Sequence, residues 1–280
     1  MIDSSAKIFL IILTILLSNC SSHSNVSSDI DSSLLVKQIK ISNDTLHDTS
    51  DSFSKYSLPL KLFRDDLKGG SGGTCFFIKY ISKYYLITCW HALSCRNASN
   101  SRLIKGYKRS QHKTAVIQFD EKGNPHRWFI ELYNSKGENL YYEKKLTDTS
   151  YLDITALEVP KDSILLSNYF TIDKIDTESN YNRKYSVLYY GYPTNYIGEQ
   201  NLYPTPYKGV ILDFKTEKLN NYISTDQFAY GGCSGSPLLL NSKGRYKLIG
   251  VVCSSPDITY KPTTCIDIKS AIALIESRKK

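Results

Sequence analysis

The stretch Gly231-Gly232-Cys233-Ser234-Gly235-Ser236-Pro237-Leu238-Leu239-Leu240 poses the question on which the fold turns. A serine stands between glycines, with a cysteine before it, a proline after it and an apolar run beyond. Glycines flanking a small polar residue favour a turn with unusual backbone angles, and the leucines that follow suit a buried strand. Such a turn is either punctuation or a loop that presents a nucleophile. In the second case either the Ser234 hydroxyl or the Cys233 thiol attacks.

Short β-prone runs surround it from about residue 58 onward, among them TCFFIKYI, KYYLITCW, TAVIQF, ITALEV, YSVLYYGY and LIGVVCS. Turn formers such as EKGN and NSKG separate them. This spacing predicts an all-β chain of antiparallel strands, a barrel or a sandwich, rather than alternating βα units. The 22 tyrosines concentrate in these runs, as expected of aromatic residues on a half-buried pleat. One helix is expected, over IDIKSAIALIESRKK, with Ile268, Ala271, Ile272 and Ile275 on its inner face and basic residues in its last turn.

The chain of 280 residues carries a formal charge of +8, with its lysines and arginines scattered. Without a dense basic block, nucleic acid is not an expected partner. At the N-terminus Lys7 precedes the apolar run IFLIILTILL, too short to span a bilayer and suited to the core of a signal peptide. It ends at Leu17-Ser18-Asn19-Cys20, which resembles a bacterial lipobox, although Asn19 stands where Gly or Ala is typical. The resemblance implies lipid attachment at Cys20; a plain secretory signal with an incidental cysteine is the alternative. Expected divisions are therefore 1–20 as a lipoprotein-type signal segment, 21–57 as a polar Ser-rich tether and 58–280 as the folded domain. The expected location is outside the cytoplasm, anchored by lipid to the periplasmic or surface face of a bacterial membrane. Seven cysteines in an exported chain suggest disulfides.

Four separated pieces fit one pattern. They are GSGGTCFFIKYISKYYLITCWHAL ending near His91, YLDITALEV with Asp153, LYYGYP, and the opening loop followed by NSKGRYKLIGVVCSS. Together they resemble the trypsin-like serine peptidases, in particular the bacterial branch near the staphylococcal glutamyl endopeptidase and the high-temperature-requirement proteases. The order of the motifs, Gly-Thr before an apolar strand, Leu/Ile-Thr leading to His, Asp-Ile-Ala-Leu-like, and Gly-x-Ser-Gly-x-Pro, carries the resemblance across residues 58–275.

The resemblance implies two antiparallel β-barrels with a C-terminal helix, and a serine endopeptidase that needs no cofactor. Ser234, three before Pro237, matches the nucleophile. His91 matches the base, and Asp153 the acid that orients it, ahead of Asp148 and Asp120. The N–H groups of Gly232 and Ser234 match the oxyanion donors. Phe228, six before the nucleophile, matches the base of the primary pocket, and Val252, Cys253, Ser254 and Ser255 its wall, which implies a small or apolar substrate residue. Cys233 stands where the family usually has Asp or Asn, so activation through an ion pair at that position is not expected. Polypeptide is the implied partner. Cys89, His91 and Cys95 do not follow a zinc spacing, and no metal is expected. Cys253 and Cys265 flank a hairpin-like segment and invite a disulfide. No peptide-binding domain is expected after the terminal helix. Two other readings stay open: an inactive, protease-derived surface binding module, and a cysteine peptidase acting through Cys233.

Overall fold

In the N-terminal half seven strands form one antiparallel sheet. They are β1 (Leu58–Arg64), β2 (Gly72–Tyr80), β3 (Lys83–Thr88), β4 (His112–Phe119), β5 (Pro125–Glu131), β6 (Tyr141–Tyr142) and β7 (Thr155–Val159), in the spatial order β5-β4-β1-β2-β3-β7-β6. The second half is a closed barrel of six strands: β8 (Ser186–Gly191), β9 (Thr205–Glu217), β10 (Asn220–Thr225), β11 (Pro237–Ser242), β12 (Arg245–Ser254) and β13 (Thr263–Asp267). The computed structural model describes residues 53–64, 72–103, 112–119, 125–160, 168–176, 181, 183–194, 200, 203–217, 220–242, 245–254 and 262–278. The signal segment and Cys20 lie outside the described residues.

The all-β class and the two-lobed plan agree with the sequence reading, and hydrogen-bonded closure is complete in the second lobe. A closed barrel leaves no strand edge unpaired. The central position of β3, between β2 and β7, explains its composition. Both faces are covered, so Tyr84, Tyr85, Leu86 and Ile87 are all buried, a continuous apolar run rather than an alternating one. Two buried tyrosines bond their hydroxyls within the protein: Tyr192 donates to the Ser57 carbonyl at 3.0 Å and Tyr189 to the Phe228 carbonyl at 2.7 Å.

Two helices matter. The first, α1 (Trp90–Ser94), is a single turn; the second, α2 (Ile268–Ser277), follows β13 directly. Asp267 caps α2 by accepting from the Lys269 N–H at 2.9 Å. The helix packs on β7 of the first lobe and on β12 and β13 of the second. Ile268, Ala271, Leu274 and Ile275 are its buried residues, while Ile272 is only partly covered. Leu274 thus takes the inner place expected of Ile272, because the helix lies in a groove between two sheets. The helix ends before the basic residues, and Arg278 lies over the Tyr142 ring at 4.8 Å.

The disulfide expected between Cys253 and Cys265 does not form; both are free thiols. In the β12–β13 ladder Cys265 pairs with Val252, so those two share a face. Strand alternation turns Cys253 to the other side. Cys265 and Val252 belong to the barrel core, and Cys253 to the core between the lobes.

Candidate active site

Strand pairing brings the histidine and the acid together. Thr88, the last residue of β3, pairs with Thr155, the first of β7. His91 therefore lies just past one strand end and Asp153 just before the start of its neighbour. Cys89 is extended and caps the single turn α1, which lifts His91 out of the sheet. Trp90 fixes this turn from behind: its Nε1–H donates to Glu143 at 2.9 Å, and its ring stacks on Tyr151 at 4.4 Å.

The Asp153 carboxylate accepts from the His91 backbone N–H at 2.9 Å and lies 2.8 and 3.0 Å from Nδ1. A carboxylate only accepts, so Nδ1 carries the proton and Nε2 keeps its lone pair. The imidazole is 29% exposed and the carboxylate side chain 17%, so solvent reaches the ring. Burial opposes protonation of His91. The charge of Asp153 and its hydrogen bond outweigh that and hold the imidazole pKa above its ordinary value.

The opening loop is a tight, cross-braced turn. Gly232 and Gly235 have φ of +87° and +94°. A Cβ at Gly232 would lie 2.3 Å from the Tyr192 carbonyl oxygen, and one at Gly235 would lie 1.9 Å from that of Thr74. Only glycine fits both the angles and the space. The Cys233 N–H donates to Tyr230, the Gly235 N–H to Val252 and the Ser236 N–H to Cys233. Among the described residues, the N–H groups of Gly232 and Ser234 make no hydrogen bond.

Thr74 joins the lobes here, and nothing in the sequence reading assigned it a role beyond the Gly-Thr motif. Its N–H donates to the Ser234 carbonyl at 2.7 Å, and its hydroxyl donates to the Gly232 carbonyl at 2.8 Å. The same hydroxyl accepts from the Tyr192 N–H at 3.1 Å. Thr88 donates in turn to the Thr74 carbonyl at 2.7 Å. A threonine on the first lobe thus holds the backbone of the loop on the second.

The Ser234 hydroxyl donates to the Cys253 carbonyl at 2.8 Å. Among the described residues no hydrogen bond links it to His91. The Cys253 thiol donates to the Asp153 carbonyl at 3.1 Å. Cys253 therefore touches the serine through its carbonyl and the backbone of the aspartate through its thiol. Cys233 faces the barrel core, fully buried, and burial pushes its thiol up to about 12. A thiolate there is not accessible at neutral pH.

Of the expected pocket residues, Phe228 is half-buried and its ring meets that of Tyr230 at 4.5 Å. Val252 is buried in the barrel core, and Cys253 turns toward Asp153. The Ser254 side chain and Ser255 lie outside the described residues. A sulfur or carboxylate donor set exists at Cys89, Asp153 and Cys253, whose ligand atoms lie within 4.8 Å of one another. Cys95 is not part of it. Both Asp153 oxygens already face His91, and both thiols donate to backbone carbonyls.

The architecture has known counterparts. The chain aligns with the solved structure of Deg5 at a TM-score of 0.52 and 16% identity, covering 84% of this chain and 92% of that one. The Rv3671c protease from M. tuberculosis, in its active form, aligns at a TM-score of 0.50 and 13% identity over 91% of this chain and 92% of that one. This chain adopts the trypsin-like protease fold. The HtrA-type protease AlgW, solved with a tripeptide, aligns at a TM-score of 0.50 and 15% identity, and here 80% of this chain covers 60% of the other. No protein-family profile matches the sequence. No curated protein matches it either.

Proposed function

We propose that the chain is an exported serine endopeptidase that cleaves polypeptides through Ser234, His91 and Asp153. The observation that carries this reading is the convergence at Cys253, which touches the Ser234 hydroxyl through its carbonyl and Asp153 through its thiol. The structural likeness to proteases supports it.

In this mechanism the Ser234 hydroxyl leaves the Cys253 carbonyl and turns toward Nε2 of His91. His91 takes its proton as the oxygen attacks the substrate carbonyl, and Asp153 stabilises the imidazolium. The free amides of Gly232 and Ser234 receive the developing oxyanion; one such donor is worth roughly 2.7–4 kcal/mol in the transition state. The imidazolium then protonates the leaving amine, and water, activated by His91, releases the acyl group from Ser234. Attachment to a membrane through a lipid on Cys20 belongs to the same proposal and rests on the sequence alone.

One observation favours a second reading. The Ser234 hydroxyl is bonded to a carbonyl and not to His91, the state expected of a protease-derived binding module that no longer turns over. A fluorophosphonate probe separates the readings. The wild type is expected to label at Ser234, and Ser234→Ala to abolish labelling. A folded wild type that never labels, or labelling that survives the substitution, overturns the peptidase reading.

A further inference from the structure

Two thiols meet behind the candidate triad, one from each lobe. Cys89 follows β3 and lies two residues before His91; Cys253 lies on β12 of the barrel. Their sulfurs and an Asp153 carboxylate oxygen all lie within 4.8 Å of one another. Both residues are buried, and both are free. The Cys89 thiol donates to the Val252 carbonyl at 3.1 Å and the Cys253 thiol to the Asp153 carbonyl at 3.1 Å. The proposed mechanism uses the Cys253 carbonyl but neither sulfur, so a facing pair of cysteines is not explained by catalysis.

A disulfide requires sulfurs about 2.05 Å apart and Cβ atoms about 3.5–4.5 Å apart. The two sulfurs lie within 4.8 Å of each other and must approach by up to about 2.7 Å to bond. We propose that Cys89 and Cys253 are a redox modification site, which a low-molecular-weight disulfide converts to a covalent bond between the lobes that slows the triad. The proposal rests on the catalytic reading of Ser234, His91 and Asp153.

The chemistry balances as thiol–disulfide exchange. One cysteine, as thiolate, attacks the small disulfide, forms a mixed disulfide and expels one small thiol. The second cysteine attacks that mixed disulfide and expels the other. Two S–H bonds are lost and one S–S bond forms; two electrons and two protons pass to the small disulfide, which ends as two thiols. Burial holds both thiols protonated, Cys89 well above the ordinary range, so exchange is slow on the closed protein and proceeds when the lobes part.

Oxidation removes the proton that Cys253 gives to the Asp153 carbonyl, the one hydrogen bond that carbonyl makes among the described residues. The sulfur must also swing toward Cys89. The aspartate that aims His91 then loses a support, while the two lobes gain a covalent tie. Slower turnover together with higher thermal stability is the resulting signature. A purely structural disulfide would raise stability and leave turnover unchanged.

The test uses the full-length protein held either in dithiothreitol or in oxidised glutathione, at a temperature just below its unfolding midpoint. Thiols are blocked, linked peptides are identified by mass spectrometry, and the fluorophosphonate labelling rate and melting temperature are measured. Expected are a Cys89–Cys253 linked peptide, at least tenfold slower labelling, a higher melting temperature, and reversal by dithiothreitol. Cys89→Ala, or Cys89→Ser if the first folds poorly, should label when reduced and ignore oxidised glutathione. Absence of the linked peptide overturns the proposal, as does a linked peptide with an unchanged labelling rate. If reduced wild type does not label at all, the catalytic reading has failed and the switch falls with it, whereas the linked peptide still decides whether the bond forms.

Discussion

Thr74→Val isolates the bracket between the lobes. Valine has nearly the shape of threonine, so the change removes a hydroxyl and little else. That hydroxyl is buried; it donates to the Gly232 carbonyl at 2.8 Å and accepts from the Tyr192 N–H at 3.1 Å. Both backbone groups lie in buried residues and lose their partner. An unsatisfied buried polar group costs about 1–3 kcal/mol, so the pair together should cost roughly 2–6 kcal/mol. Against a typical total of about 5–15 kcal/mol this is a large fraction. The measurement is urea unfolding followed by tyrosine fluorescence, where the midpoint should fall with an unchanged slope. Gly232 also supplies one of the two free amides, so loosening its peptide should slow fluorophosphonate labelling. Each 1.4 kcal/mol lost from the transition state is about tenfold, and a tenfold or greater fall is expected. Thr74→Ser keeps the hydroxyl and should restore both properties to near wild type. A valine variant with wild-type midpoint and labelling rate would refute the bracket, as would a serine variant as impaired as the valine.

Gly235→Ala forces a Cβ into a left-handed backbone and to 1.9 Å from the Thr74 oxygen; the backbone angle alone costs about 1–3 kcal/mol, and the variant should lose labelling and express poorly. The rate of labelling against pH should rise through the His91 pKa, because only neutral imidazole accepts the serine proton. Since Asp153 raises that pKa, the midpoint should sit above the unperturbed value of about 6.5, and activity should be lost as pH falls through it. Asp153→Asn removes the charge and favours the wrong tautomer. Its residual labelling should drop by roughly 10⁴-fold, and a decrease of less than tenfold would dismiss Asp153 from the triad. Cys20→Ser should release the protein from the detergent phase or block its processing; wild type that is soluble and cleaved elsewhere would count against the lipid.

The short β-prone runs and their turn residues were legible because strand period and glycine–proline punctuation are local properties. The same holds for α2, whose apolar spacing repeats within a few turns, and for the Gly-x-Ser-Gly-x-Pro loop, whose glycines answer to their own backbone angles. The order of His91, Asp153 and Ser234 along the chain was visible for that reason too. What the tertiary structure decided is which side chains meet across long separations. The role of Thr74 depends on an approach of β2 to the nucleophile loop that no window of sequence contains. The fate of Cys253 depended on the β12–β13 register, which set it on the opposite face from Cys265. Its thiol then met Cys89 and Asp153, from the other lobe. Ile272 and Leu274 exchanged places because α2 lies between two sheets, and only their packing tells a helix which stripe is inward. Periodicity is encoded residue by residue, whereas register and lobe docking are settled by burial summed over the whole core.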